Sequence, residues 1–254
     1  MAVILLLCVF AALAGFIDAV VGGGGLVQLP AIMILLPGVP IATLLGTTKL
    51  AAGAGTSMAV QRYARHVRID WPLVAPAAIT AFVFSFLGSR TVTLLNTNIV
   101  RPVVLGLLVV VAIYVFWVKD LGLIHQPKHA LRKARWIGIL IGATLGFYDG
   151  FFGPGTGSFL VFAFVGIFGF DFLAASASAK VINLATNAAA IIYFCSTGHV
   201  IYHIAVPMAV CNVAGAALGS RMAIAKGSRF VRIFFLVIVC ALIAKLAQSI
   251  LQQS

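Results

Sequence analysis

Glutamate is absent from the 254-residue chain, and Asp18, Asp70, Asp120, Asp149 and Asp171 are its only acidic side chains. Charged residues make up 9%, against about 25% in a soluble domain. A soluble fold of this length could not conceal a 63% hydrophobic content, and it would need more charge for its exterior. These shortages exclude a soluble enzyme and a disordered chain. Cysteine is scarce as well. Cys8, Cys195, Cys211 and Cys240 lie singly in apolar runs, with no C-x-x-C and no histidine at metal spacing. They read as small buried hydrophobes, and no disulfide scaffold is expected. The phosphate-binding patterns G-x-G-x-x-G and G-x-x-x-x-G-K-[ST] are not matched in context, so no nucleotide site is expected. His66, His125, His129, His199 and His203 lie in or near loops without a convergent acidic partner. Neither a metal site nor a cofactor is expected from them. No His, Cys or Ser constellation is duplicated or clustered, so a membrane-embedded enzyme is not expected either.

What is present is apolar sequence, with a mean hydropathy of +1.16. The composition fits an all-α polytopic membrane protein. Apolar segments fall at 2–21, 26–36, 41–60, 71–88, 99–118, 136–152, 158–169, 171–195, 204–220 and 230–248. Six approach the roughly 20 residues that cross a bilayer. Those at 26–36 and 158–169 are too short and follow glycine runs, while those at 41–60 and 171–195 carry a lysine mid-span. Short, glycine-interrupted segments at matching places suggest broken or re-entrant helices. The expectation is 8–10 helices in total, with 6–10 membrane segments. The first segment lacks a basic flank and is read as an uncleaved helix rather than a signal peptide.

The chain also resembles itself. Offset by 131 residues, Gly15-Phe16 meets Gly146-Phe147, Asp18 meets Asp149, and Gly22 and Gly24 meet Gly153 and Gly155. Lys49 meets Lys180, Pro76 meets Pro207, and Gly88-Ser89-Arg90 meets Gly219-Ser220-Arg221. Coincidences at such scarce residue types indicate a tandem duplication. The expected organisation is one transmembrane transport domain of two repeats, about 1–123 and about 132–254.

Charge placement orients the repeats. The stretches 61–68, 119–135 and 221–229 hold 11 of the 17 basic residues, and basic loops remain cytoplasmic. Placing 61–68, 119–135 and 221–229 inside puts 89–98 outside, although 221–229 and 89–98 occupy matching positions. The two copies therefore run in opposite senses, as inverted-topology repeats. The same reckoning puts both termini outside; Arg90 and Arg101 on the outer side weigh against it. The net charge of +12 is chiefly a topology signal. Contacts with anionic lipid headgroups follow from the same charge, and nucleic acid is not an expected partner.

Two motifs could carry chemistry. The glycine runs Gly22–Gly25 and Gly153–Gly157 let the backbone leave helical geometry and expose N–H groups. Where such a loop opens a helix, the N–H groups and the helix dipole attract an anion. Gly23, Gly24, Gly155, Thr156 and Gly157 are the candidates for this role. The same glycines could simply permit tight turns and close packing. The second motif centres on Lys49 and Lys180, each 31 residues beyond an aspartate of its own copy. An intramembrane charge costs several kcal/mol, about 2.5–3.5 on insertion scales, unless it is paired or faces water. One reading has the lysines attract an anion in a polar cavity, with hydrogen bonds from Thr47, Thr48, Ser178, Asn183 and Asn187. The other has them form structural ion pairs with Asp18 and Asp149, and both can hold. Asp18 and Asp149 are thus structural or proton-coupling candidates.

Gly15-Phe16-Ile17-Asp18 with its glycine run and Thr48-Lys49-Leu50 resemble the TauE/SafE sulfite exporter family. Gly146-Phe147-Tyr148-Asp149-Gly150-Phe151-Phe152-Gly153-Pro154-Gly155-Thr156-Gly157-Ser158 and Ala179-Lys180-Val181-Ile182-Asn183 strengthen the likeness in the second copy. The resemblance implies a multi-pass permease of the cell membrane, in bacteria the inner membrane. It implies a small sulfur-containing anion such as sulfite, thiosulfate or an organosulfonate as cargo, and two related halves with a central site. The expectation is a secondary transporter working by alternating access. Its rivals are an anion channel and an ion-coupled carrier of another small organic anion. The sequence is compatible with a homo-oligomer and gives neither direction nor coupling ion.

Overall fold

Glycine, proline and one aspartate decide where the helices start and stop. The computed structural model describes residues 2–94 and 130–251, the side chains of Arg232 and of 235–251 excepted. The apolar segment 99–118 and the basic and histidine residues between it and Ala130 lie outside the described residues. Helix α1 (Ala2–Val21) ends where Gly22 takes a φ of +80°, and α2 (Gly25–Leu35) follows at once. Extended Pro40 launches α3 (Ile41–His66). Helix α4 (Trp71–Leu94) carries Pro72 in its first turn, where a missing N–H costs nothing. Helix α5 (Leu131–Phe151) gives way to Gly153 and Gly155, both left-handed, before α6 (Thr156–Gly166). Asp171 Oδ1 accepts from the backbone N–H groups of Leu173 at 2.9 Å and Ala174 at 3.1 Å, capping α7 (Phe172–Ser196). Helix α8 (Tyr202–Leu251) is broken at Gly227, whose φ is 70°. No strand occurs among the described residues.

Helices at matching positions pack reciprocally. Helix α4 lies along α5 while α1 lies along α8, and α3 meets α8 while α4 meets α7. The small-residue contacts repeat in the same way. Gly88 sits against the Phe147 carbonyl and Gly219 against that of Phe16. Gly15 sits on the Asn212 backbone and Gly146 on that of Ala81. Two apolar clusters result, one around Val20, Val74, Leu160 and Ile182, the other around Leu7, Ile32, Leu44, Phe152 and Phe194. Each draws on both halves of the chain.

The chain is an all-helical, multi-pass membrane protein. Helices α1, α4, α7 and the Tyr202–Val231 part of α8 are long and apolar enough to cross a membrane. Their outer faces leave Leu5, Leu13, Ile79, Val83, Ile192 and Val210 exposed, an apolar surface that lipid would cover. Helices α2 and α6 have eleven residues each. At about 1.5 Å per residue they reach about half of a hydrocarbon core roughly 30 Å thick, so neither spans alone.

Three helices run further than the charge pattern implied. Helix α3 runs through 61–65 to His66, α4 runs to Leu94, and α8 stays helical to the break at Gly227. Arginine, glutamine and alanine favour helix, and cations suit a helix C-terminus. These stretches therefore continue the membrane helices rather than interrupt them.

Candidate functional site

The site forms where the two helix breaks meet. The α1 break and the start of α6 touch backbone to backbone at Gly22 and Gly157, where neither residue has room for a Cβ. Ser158 fastens the contact, donating from its N–H to the Gly22 carbonyl at 3.1 Å and from Oγ to the Val21 carbonyl at 3.0 Å. Left-handed Gly22 turns the chain here at little steric cost.

Asp18 lies in the last turn of α1 and Asp149 in the last turn of α5, so each stands beside a break. Lys49 and Lys180 lie within α3 and α7, and each pairs with the aspartate of the other half. Lys49 Nζ is 2.5 Å from Asp149 Oδ2, and Lys180 Nζ is 2.8 Å from Asp18 Oδ2. Lys180 is fully buried, while the Asp18 side chain keeps 16% of its surface exposed. Thr56 Oγ1 donates to Asp18 Oδ2 at 3.4 Å and accepts from Asn187 Nδ2 at 3.5 Å. Asn187 Nδ2 also donates to Asn183 Oδ1 at 3.0 Å. One aspartate is thus linked through a hydroxyl to a pair of amides.

A cavity of about 50 Å³ lies at this junction and borders both ion pairs. It is small, with room for water or a compact solute. Two lysines and two aspartates leave its formal charge at zero.

Of the residues singled out in the sequence, Lys49, Thr48, Asn183, Asn187, Gly24, Gly157, Asp18 and Asp149 line the cavity. Lys180 reaches it only through Asp18. Thr47, Ser178, Gly23, Gly155 and Thr156 stand apart from it. Thr47 Oγ1 accepts from the Ile201 N–H at 3.1 Å and donates to the Thr43 carbonyl at 2.6 Å, securing the approach to α8. Thr156 Oγ1 donates to the Gly153 carbonyl at 2.8 Å. Ser178 is buried, and its hydroxyl has no protein hydrogen-bond partner among the described residues.

Three polar lining side chains escaped the sequence reading: Gln28, Thr56 and Asn212. Gln28 is the sole polar side chain of the apolar run 26–36, and Asn212 the sole amide of 204–220. An isolated amide in a membrane segment is a usable signal. The 131-residue offset passes over both because their matches are Phe159 and Ala81.

Buried charge and two interlocked helix breaks around a small internal cavity fit a polytopic membrane protein. The chain belongs to the sulfite exporter TauE/SafE family, whose model matches residues 7–246. It is 33% identical over 240 residues to the probable membrane transporter protein ORF9 of Sinorhizobium sp., covering 94% of this chain and 90% of that protein. It is 34% identical over 219 residues to a probable membrane transporter protein of Haemophilus influenzae, covering 86% and 84%. To the probable membrane transporter protein YfcA of Escherichia coli K12 it is 32% identical over 236 residues, covering 93% and 86%. No solved structure matches the chain.

Proposed function

We propose that the protein is a secondary transporter of the bacterial inner membrane that carries a small sulfur-containing anion by alternating access. The observation that carries this reading is the cavity at the meeting of the two helix breaks, bordered by both crossed ion pairs. The family name and the transporter names of the relatives support it. Sulfite, thiosulfate or a small sulfonate would occupy the cavity. Asn183, Asn187 and Thr48 would offer hydrogen bonds, and the N-terminus of α2 at Gly24 and Gly25 would offer backbone N–H groups and a favourable dipole. Binding an anion at a formally neutral site would loosen one lysine from its aspartate. Asp18 is the better placed to exchange that lysine for a proton, because it keeps some exposure and a hydroxyl partner. The two halves are read as oppositely oriented repeats, for which their reciprocal packing is the support. Rocking of one against the other about the glycine breaks would then expose the cavity to each side in turn.

Flux of labelled sulfite and thiosulfate into proteoliposomes tests the reading, with the unaltered protein beside folded Lys49→Ala and Lys180→Ala. Saturable flux that counter-substrate accelerates, and that falls at least tenfold in both variants, is the expected result. Undiminished flux in the variants would remove the lysines from the mechanism. A linear, unsaturated conductance would point to a channel.

A further inference from the structure

The cavity is lopsided. Four carboxamides border it, at Gln28, Asn183, Asn187 and Asn212. Their counterparts 131 residues away are Phe159, Ala52, Thr56 and Ala81, none of them an amide. The ion pairs and the glycine breaks follow the internal symmetry, and the amides do not.

Both helix breaks border the cavity, so the inequality is confined to the amides. At the second break Gly153, Pro154 and Gly157 border it, while Gly155 and Thr156 stand away. At the first, Gly24 and Gly25 border it. The four amides come from α2, α7 and α8 and form a polar wall that the internal symmetry does not duplicate.

Within that wall one donor stands out. Gln28 is 2% exposed, and its Nε2 has no protein hydrogen-bond partner among the described residues. Its orientation is set by Asn212, whose Nδ2 donates to Gln28 Oε1 at 3.2 Å. Turning the Gln28 amide over would bring two N–H₂ groups together. Asn212 is itself confined, because Gly15 and Gly55 press on it so closely that neither leaves room for a Cβ. A buried amide N–H₂ without an acceptor is costly, and such groups in native proteins generally serve a purpose. Both lysines are already neutralised by aspartates, so Gln28 Nε2 is an uncommitted and neutral donor beside this cavity.

We infer that Gln28, held by Asn212, donates its Nε2 hydrogens to an oxygen of the transported anion, so that the cargo is held by a contact the internal symmetry does not duplicate. This rests on the transport reading and adds to it the group that recognises the cargo. The partner it selects is an acceptor-only oxygen, as in a deprotonated oxyanion. A neutral donor binds such an oxygen without the strong field that would make release slow.

The test is calorimetric titration of the full-length protein in nanodiscs with sodium sulfite and sodium thiosulfate. Gln28→Met keeps the length of the side chain and removes the donor. Gln28→Glu keeps an acceptor for Asn212 and replaces the N–H₂ with oxygen. Both are expected to bind the anions about tenfold to a hundredfold more weakly, the range for one hydrogen bond to a charged group. Gln28→Met removes one unpaired buried amide and leaves Asn212 Nδ2 without its acceptor, so little change in melting temperature is expected. Asn212→Ala, which installs the residue found at matching position 81, is expected to weaken binding less. If Gln28 only supports Asn212, Gln28→Met will weaken binding no more than Asn212→Ala does, and that overturns the inference. Equal affinity in all the variants overturns it too and leaves the transport reading standing. No binding of either anion by the unaltered protein overturns both.

Discussion

Lys180 donates to Asp18 at 2.8 Å across 162 positions of sequence. Its counterpart Lys49 reaches Asp149 in the same fashion. Both aspartates end a helix just before a glycine break, and both lysines come from a long helix of the opposite half. The pairs neutralise four intramembrane charges and clamp each break to the other half of the chain.

Replacing one partner should cost more than replacing both. Lys180→Met leaves the Asp18 carboxylate without its cation in a mostly buried site, and breaking a buried pair typically costs about 3–5 kcal/mol. The partial exposure of Asp18 places the expected loss at the lower end. Lys180→Met combined with Asp18→Asn should recover most of it. Thermal unfolding of the three proteins in one detergent measures this, and a double variant no more stable than the single would refute the clamp.

Glycine substitutions should grade by their surroundings. Gly157→Ala drives a Cβ into the Gly22 backbone, and Gly22→Ala adds the strain of a left-handed φ. Overpacking of this kind costs about 1–3 kcal/mol or more. Both variants should lose folded protein or flux. Gly198→Ala meets no neighbour but keeps a φ of +74°, for an expected loss of about 1 kcal/mol. Gly38→Ala meets nothing and has no such backbone, so a change within about 0.5 kcal/mol is expected. Yields of monodisperse protein and melting temperatures rank the four, and any other order would count against the close approach of the breaks.

The two threonines should separate stability from affinity. Thr47→Val removes the acceptor for the Ile201 N–H. It should lower stability by about 1 kcal/mol and leave anion affinity as it was. Thr56→Val cuts the link from Asp18 to Asn187 and should weaken anion binding severalfold at similar stability. Paired melting and titration experiments show whether the effects divide in this way.

Asp171→Ala should loosen α7 at its start. It removes the acceptor for the Leu173 and Ala174 N–H groups and for Ser228 Oγ, which donates at 2.7 Å. The expected loss is about 1–2 kcal/mol, the range for a good N-cap. Hydrogen exchange should rise first at the N-terminal turns of α7; uniform exchange along the helix would speak against a capping role.

Much of the fold was legible because apolar runs, prolines and glycine pairs act locally. The expected segment 2–21 coincides with α1, and 26–36 and 171–195 match α2 and α7 to within a residue at either end. The four intramembrane charges were legible for the same reason, each being isolated in apolar sequence. Which charges pair was not. The 31-residue interval from Asp18 to Lys49 recurs between Asp149 and Lys180, and that is equally consistent with pairing inside a copy or across copies. Only the packing of α3 and α7 against the opposite break selects the crossed arrangement. Gln28 and Asn212 stayed hidden because the comparison of the halves rewards likeness, and they are where the halves differ. Thr47 misled because a hydroxyl beside a membrane lysine resembles a ligand, while its actual partner is a backbone N–H 154 positions away.

The crossed pairs make the halves mutually dependent. Each half alone would carry one aspartate and one lysine, each shaped for a counter-ion on the other side of the chain. Neither could fold as an independent transporter without rebuilding its charge pattern. A change at Asp18 is felt at Lys180 and one at Lys49 at Asp149, so the two halves can drift apart at their amides while remaining bound to one another at their charges.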